Sequence, residues 1–397
     1  MKNLDRRNFL KSSILGAGAA VLAKPAIAAT RRTVSGSEII TRKLGNTGLE
    51  IPVLSMGVMR ADNPNIVKAA MDAGITLFDT AHGYQRGENE VMLGNLFKDY
   101  KRDSIIIQTK VPPGDRRNEP SDKSDSEIRQ AFLEKFEISL GRLKTDYVDI
   151  LLQHGAGNRE AVLKEPVMDA LLQAKKDGKT RFIGLSTHSS EPEVIRAAIE
   201  AGIYDVITVA YNFKQDHRAE ISSAMADAAK AGIGFIGMKT MAGGFMDQEK
   251  TRPVNAKAAL KWALQDPHLT TCIPGFTAFD QLQLDTDIMT DLELTPEELQ
   301  ELEISSEVIG LYCQGCLICT GQCSKGLPIP EIMRSYMYAY GYGEMQKARE
   351  TLDEYGVQEN PCAGCTGCTV KCTKGFPVAE RIADISRIKN VPFDFLT

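Results

Sequence analysis

Between residues 39 and 290 the chain alternates short β-branched runs with longer helix-forming stretches, and this alternation leaves few folds open. The candidate strands are 54–58, 76–79, 104–109, 148–152, 181–186, 206–210, 233–238 and 271–273. Helical patterns lie between them at 65–72, 126–143, 159–176, 192–201, 219–230 and 255–265. The run 42–57, with turn signals at Gly45-Asn46 and Gly48, reads as a hairpin leading into the first strand. Apolar strands separated by helices imply a parallel sheet covered on its faces. Eight such units over roughly 250 residues suit a (β/α)8 TIM barrel. A doubly wound sheet is the alternative, but no Gly-x-Gly-x-x-Gly turn follows the first strand. The expected fold class is therefore α/β, with the barrel at 39–290 and space for a further domain at 310–397.

Composition narrows the setting. The 397 residues are 43% apolar and 25% charged, which excludes a disordered chain and a multispan membrane protein. A net charge of −5 offers no global basic field, so nucleic acid is not an expected partner.

In a barrel, polar residues at the C-terminal ends of strands are candidates for catalysis. The second strand ends in Asp79, with Tyr84 on its loop; the third leads to Lys110 and the fourth to His154. A phenol with a pKa near 10 transfers protons poorly at neutral pH. A neighbouring Lys⁺ is expected to lower that pKa, an Asp to brace the Lys, and a His to donate a hydrogen bond to a carbonyl. Taken one at a time, a Lys after a strand is usually solvated and a single His usually structural. Together the four make a proton-transfer site for carbonyl–alcohol interconversion.

The segments carrying these residues are Gly74-Ile-Thr-Leu-Phe-Asp79-Thr-Ala-His-Gly-Tyr84 and Leu140-Gly-Arg-Leu-Lys-Thr-Asp-Tyr-Val-Asp149-Ile-Leu-Leu-Gln-His154. Gly178-Lys-Thr-Arg-Phe-Ile-Gly-Leu-Ser186 and Ile273-Pro-Gly275 continue the pattern. Over roughly residues 39–290 the chain resembles the aldo-keto reductases. The resemblance implies Tyr84 as general acid in reduction, Lys110 as its pKa partner, Asp79 as brace and His154 as carbonyl orienter. It also implies NADP or NAD as cofactor, with a small-molecule carbonyl or alcohol as substrate.

The implied nucleotide positions depart from the family pattern. Ser186-Thr187 stands where the family commonly has Ser-Asn. Thr208 stands where a Gln usually precedes a Tyr-Asn pair, here Tyr211-Asn212. Lys239 lies where a Tyr usually stacks on the nicotinamide; it could reach a pyrophosphate or simply be solvated. Gly275 and Gln281 replace a Lys and an Arg that often hold the 2′-phosphate, which weakens any preference for NADP.

Eight of the nine cysteines fall between residues 313 and 372. Cys313-x2-Cys316-x2-Cys319-x3-Cys323 is repeated as Cys362-x2-Cys365-x2-Cys368-x3-Cys372. Local clustering in a long chain points to metal rather than to a disulfide scaffold. A zinc or disulfide module is the alternative; zinc sites more often use well-separated Cys-x2-Cys pairs. The spacing resembles the bacterial two-cluster ferredoxins, in which the fourth cysteine ligates the other cluster. That resemblance implies two [4Fe-4S] clusters, one on Cys313, Cys316, Cys319 and Cys372, the other on Cys362, Cys365, Cys368 and Cys323. Ser324 and Thr373 replace the proline that usually follows the fourth cysteine. The intervening 329–355 reads as helices broken at Gly341-Tyr342-Gly343, so the module is expected to be mainly helical and to lie near the barrel's pocket mouth. Cys272, on the last barrel strand, is expected to be a buried small hydrophobe.

Residues 1–28 read as an address. Arg6-Arg7-Asn8-Phe9-Leu10-Lys11 resembles the twin-arginine signal, followed by a short apolar stretch and Ala26-Ile27-Ala28 as a cleavage site. An amphipathic N-terminal arm is the alternative. The stretch is too short for a membrane span of about 20 residues, so no stable span is expected after cleavage. The twin-arginine resemblance implies a periplasmic or exported protein, moved already folded. The expected function is an exported oxidoreductase whose clusters relay electrons, with a redox protein as partner. The alternative is a barrel without hydride chemistry that serves as an electron carrier or binding module.

Overall fold

The computed structural model describes residues 33–34, 37–114 and 123–396. The address segment 1–28 lies outside them. The strands β1 Met56–Gly57, β2 Leu77–Asp79, β3 Ile106–Val111, β4 Val148–Gln153, β5 Thr180–Thr187, β6 Val206–Ala210, β7 Gly234–Met238 and β8 Leu269–Cys272 pair in parallel, each with the next in sequence. Parallel bridges Leu54–Cys272 and Gly57–Gly275 close the last strand onto the first. The result is the expected eight-stranded barrel. Every residue of β4 and β6 is buried, as strands covered on both faces require.

The antiparallel hairpin Thr41–Lys43/Glu50–Pro52 plugs the N-terminal end of the barrel. Its Leu44 and Ile51 join Leu77, Ile150, Leu152, Val206 and Ile236 in the barrel interior. Gly45 is needed at the hairpin turn: it has φ +49°, and a Cβ there would lie 2.4 Å from the Gly232 carbonyl oxygen. Cys272 is fully buried among the strands.

The covering helices include α1 Pro64–Asp72, α2 Glu88–Phe97, α3 Asp125–Leu143, α4 Glu165–Lys176, α5 Glu191–Ala201, α6 Arg218–Lys230, α7 Ala256–Leu264, α8 Phe279–Thr286 and α9 Pro296–Glu307. Capping boxes at Ser124/Glu127 and Thr295/Glu298 satisfy the first backbone donors of α3 and α9. The stretch 159–176 is not one helix. A single turn, Arg159–Val162, precedes α4, because Pro166 has no N–H and is tolerated only in a helix's first turn.

Beyond α9 the chain forms the cysteine-bearing loops and three helices: α10 Ile329–Tyr342, α11 Met345–Glu354 and α12 Val378–Ser386. Helix α10 runs through Gly341 and stops at Gly343, which adopts φ +71°. Ile332, Met333, Met337, Leu352, Ile382 and Ile385 form a core that also takes in barrel residues Phe213, Ala242, Ala258 and Ala259. Helix α10 presses on the loop after β7 so closely that a Cβ on Gly341 would lie 2.4 Å from the Gly243 carbonyl oxygen. An ion pair between Arg60, on the loop after β1, and Glu344 (2.8 Å) ties the other side of the mouth. No described helix is long and apolar enough to cross a membrane.

Candidate active site

The strand ends bring Asp79, Tyr84, Lys110 and His154 to one wall of a 750 Å³ cavity. Lys110 is buried and donates to Asp79 Oδ2 at 2.7 Å, to the Thr80 carbonyl at 2.9 Å and to Tyr84 Oη at 3.4 Å. Gln108 donates to Asp79 Oδ1 at 2.5 Å and to Thr208 Oγ1 at 3.1 Å. The Asp79 carboxylate therefore accepts from two buried donors, which fixes its plane. The Tyr84 and His154 rings meet edge to face, 5.9 Å apart at 83°.

Tyr84 opens a tight turn in which Gln85 (φ +49°) and Arg86 (φ +56°) are both left-handed. Such residues cost on the order of 1–3 kcal/mol each and persist only where their surroundings hold them. Here Gln85 donates to the Met59 carbonyl at 3.2 Å, and Arg86 stacks on Phe393, 3.3 Å from the ring centroid. The C-terminal end of the chain thus helps hold the Tyr84 turn.

The electrostatics correct one expectation. Burial pushes the Tyr84 phenol up, and the opposing pull of Lys110 does not overcome it. Burial also pulls Lys110 down, but Asp79 and Tyr84 outweigh it and hold the ammonium above its ordinary value. Before any ligand binds, the phenol is protonated and the lysine charged at neutral pH, a pair poised to donate a proton.

Of the sequence-selected nucleotide positions, Ser186, Lys239, Gly275 and Gln281 line the cavity, whereas Thr187, Thr208 and Asn212 do not. Thr187 donates to the Ser189 carbonyl at 2.9 Å. Thr208 points into the barrel onto Gln108. Asn212 donates through Nδ2 to the Lys239 carbonyl at 3.2 Å, bracing a residue that is itself left-handed at φ +56°. Ser186 Oγ accepts from Gly155 N at 3.0 Å. Gln281 Oε1 accepts from Thr277 N at 2.9 Å.

The segment after α9 lies at the cavity mouth, as expected, but its lining residues are not among those selected from the sequence. Arg334, Tyr338 and Tyr342 project from α10, and Lys347, Thr351 and Glu354 from α11, facing the strand-end residues. Their sequence signal was available: Arg334, Tyr338 and Tyr342 recur at i, i+4 and i+8, a single helical face. Lys239 donates to Tyr338 Oη at 3.1 Å, and Arg334 donates to His188 Nδ1 at 3.0 Å. The Tyr338 phenol is buried, which pushes it up, but Lys239, Arg334 and Lys347 outweigh burial and bring it down to about 7.

None of the nine cysteines is paired in a disulfide. Cys313, Cys316, Cys319 and Cys372 line one small cavity of 30 Å³, together with apolar residues such as Ile329, Met333 and Phe376 and with Gln314, Thr373 and Lys374. Cys319 interacts electrostatically with Cys316 and Cys372, and Cys362 with Cys365, Cys368 and Cys323. Gln322 clamps the two runs together, accepting from Thr369 Oγ1 at 2.6 Å and from Lys371 N at 2.8 Å. Among the described residues, no three His, Cys, Asp or Glu side chains converge on a single-ion site. A second small cavity links Cys313 to His188, Lys239 and Arg334, so the first cysteine run adjoins the wall of the large cavity.

Comparison with known proteins finds the model described as "Aldo/keto reductase family" matching residues 55–258, more than half of the chain. The uncharacterized oxidoreductase YqkF of Bacillus subtilis is 26% identical over 299 residues, 66% of this chain and 95% of that protein. L-galactose dehydrogenase of Arabidopsis thaliana is 26% identical over 315 residues, 69% of this chain and 96% of that one. In fold, the chain is similar to the holo form of aldo-keto reductase AKR11C1 from Bacillus halodurans. That likeness has a TM-score of 0.55 at 23% identity and covers 68% of this chain and 98% of the other.

Proposed function

Because the chain belongs to the aldo/keto reductase family, we propose that this oxidoreductase interconverts a small carbonyl compound and its alcohol, with Tyr84 as acid and base. The observation that carries this reading is the Asp79–Lys110–Tyr84 chain of contacts beside His154 on the wall of one cavity. Its 750 Å³ lies within the usual 300–1,000 Å³ of small-molecule sites.

The family implies a nicotinamide dinucleotide, which supplies or accepts the hydride when bound. Ser186, Gly275 and Gln281 line the cavity and would hold that group. Neither Gly275 nor Gln281 brings a cation for a 2′-phosphate, which supports NAD over NADP. In reduction, His154 orients the substrate carbonyl and Tyr84 Oη gives its proton to the carbonyl oxygen. Charged Lys110 then stabilises the phenolate left behind, and Asp79 keeps Lys110 charged and in place. Helices α10 and α11 cover the cavity opposite these residues.

The cysteine-bearing segment, proposed as a ferredoxin-like domain at 310–397, fits two [4Fe-4S] clusters by the chemistry of its donors. Four cysteines line one small cavity, and Cys362 lies within electrostatic range of Cys323, Cys365 and Cys368. Cubane clusters spread their cysteines wider than a single ion does, so the lack of a single-ion site is compatible with this reading. Bound clusters supply one-electron transfer, here to or from a redox protein partner. The proximity of Cys313 to the cavity wall supports the relay over a cluster with a purely structural role. We further propose export by the twin-arginine route to the periplasm, which accounts for reduced cysteines in an exported chain by loading them with metal before transport.

The test is an anaerobic screen of carbonyls with NADH and NADPH, run on the whole protein and on Tyr84→Phe with iron counted on both. A turnover loss of about 10²-fold or more at unchanged iron supports the reading. Equal turnover in both proteins refutes it and favours the electron-carrier alternative.

A further inference from the structure

The roof of the cavity has a charge pattern that the reaction chemistry does not use. Six Lys and Arg residues line the cavity (Arg60, Lys110, Lys239, Lys257, Arg334 and Lys347) against Asp79, Asp285 and Glu354. Lys110 belongs to Asp79, and Arg60 to Glu344. Lys239 contacts the Tyr338 hydroxyl and shares the second small cavity with Arg334, and Lys347 lines the large cavity on the adjoining helix and acts on the same phenol. Arg334 has Glu331 at 3.8 Å on its own helix and also feels Glu354, a carboxylate that lines the cavity; Lys347 has Glu350 at 3.4 Å, which does not line it. Lys239 sits 3.1 Å from Tyr338 Oη and 4.8 Å from the ring centroid.

From this geometry we infer that the Lys239–Tyr338–Arg334–Lys347 corner binds an anionic group of the substrate, a carboxylate or a phosphate, while the substrate's carbonyl lies at Tyr84 and His154. The inference rests on the reading above for the carbonyl end and on this corner alone for the anion. Half-buried cations hold a carboxylate or phosphate through charge-assisted hydrogen bonds, and Arg334 is already oriented by its Nη1 contact to His188 Nδ1. Tyr338 is the resident counterion. Its phenol is drawn toward ionisation by the three cations, with Tyr84 and Tyr342 as its other titratable neighbours. An incoming anion takes the phenolate's place, and Tyr338 takes up a proton. Tyr84, His154, Tyr338 and the three cations all line the same cavity, so one molecule can reach both ends. A dinucleotide's phosphates are the other anion that could reach the corner, and the nucleotide affinities of Arg334→Gln separate the two. Three of the four groups reside on α10 and α11, beyond the matched residues 55–258.

The test is calorimetric binding of oxalate and of inorganic phosphate to the whole, anaerobically purified protein at pH 8, in buffers of different ionisation enthalpy. The expected result is binding of at least one anion, with uptake of about one proton and loss of phenolate ultraviolet absorbance. Arg334→Gln should weaken that binding about tenfold or more and change the affinities for NADH and NADPH less than twofold. Tyr338→Phe, which keeps all three cations, should still bind the anion but without proton uptake. The inference is overturned if neither anion binds, or if Tyr338→Phe still takes up the proton. It is also overturned if Arg334→Gln weakens the nucleotides as much as the anions, which would assign the corner to nucleotide phosphate. Binding with these signatures in a protein that turns over no carbonyl would instead contradict the oxidoreductase reading and leave the anion site standing.

Discussion

The buried Asp79–Lys110 pair is the place where structure and chemistry depend most on each other. Asp79→Asn keeps the shape and removes the charge. It leaves Lys110 buried with its ammonium facing the Thr80 carbonyl and an amide. Breaking one side of a buried pair costs on the order of 3–5 kcal/mol, because the remaining charge is uncompensated. Unfolding entropy of about 2.1 cal/mol/K per residue gives roughly 0.8 kcal/mol/K for this 397-residue chain, so the variant should melt about 4–6 °C lower. Lys110→Met, which strands the carboxylate, should cost a similar amount. The double variant Asp79→Asn/Lys110→Met removes both charges and should recover most of the loss, since a buried pair and an apolar replacement of similar volume are often near parity. Scanning calorimetry or fluorescence melting of the four proteins at pH 7.5 reads the cycle. If the double variant melts about 8–12 °C lower, as the sum of independent effects, the two groups are not a coupled pair and the account of Lys110's charge fails.

Other outcomes follow from the same structure. Burial holds Tyr84 above its ordinary range, so carbonyl reduction should stay level through neutral pH and decline only in the alkaline range, as the phenol loses its proton. Alcohol oxidation should rise with pH over that range, and a reduction rate that breaks near pH 7 would rule out Tyr84 as the donor. Cys372→Ser and Cys323→Ser should each remove one cluster and lower the iron from about eight to about four per chain. Electron paramagnetic resonance should show that Cys372→Ser loses the same cluster as Cys313→Ser, and loss of different signals from those two variants would contradict the cross-pairing. Gly341→Val places side-chain atoms against the Gly243 carbonyl and should cost about 1–3 kcal/mol. Its effect on melting should come with faster proteolysis of the segment after α9, and a wild-type profile would mean that α10 does not bear on the barrel there.

The barrel was legible because its signals are local. Fully buried strands read as continuous apolar runs, and all eight fall where those runs lie. The four residues Asp79, Tyr84, Lys110 and His154 were legible because each stands at a strand end, where the barrel brings separate segments together. Position in the chain was a poorer guide farther out. Thr208 is one strand residue inside the barrel, held by Gln108, and Asn212 turns back to brace Lys239. A spacing argument does not distinguish those orientations from a cavity-facing one. The direction of the Tyr84 shift was misjudged because burial, invisible in sequence, exceeds the effect of Lys110. The roof residues Arg334, Tyr338 and Lys347 acquire their meaning only once α10 docks on Gly243, a contact nearly a hundred residues away along the chain.

The central claim is that a hydride and the Tyr84 proton arrive at one carbonyl within the roofed cavity. The most direct measurement is an anaerobic turnover with NADH stereospecifically deuterated at C4, followed by mass spectrometry of the alcohol product with the iron–sulfur absorbance monitored in parallel. The account predicts deuterium on the carbinol carbon, little change in the cluster absorbance during that step, and loss of labelled product in Tyr84→Phe. Product without deuterium, or bleaching of the clusters by NADH with no alcohol formed, would contradict it.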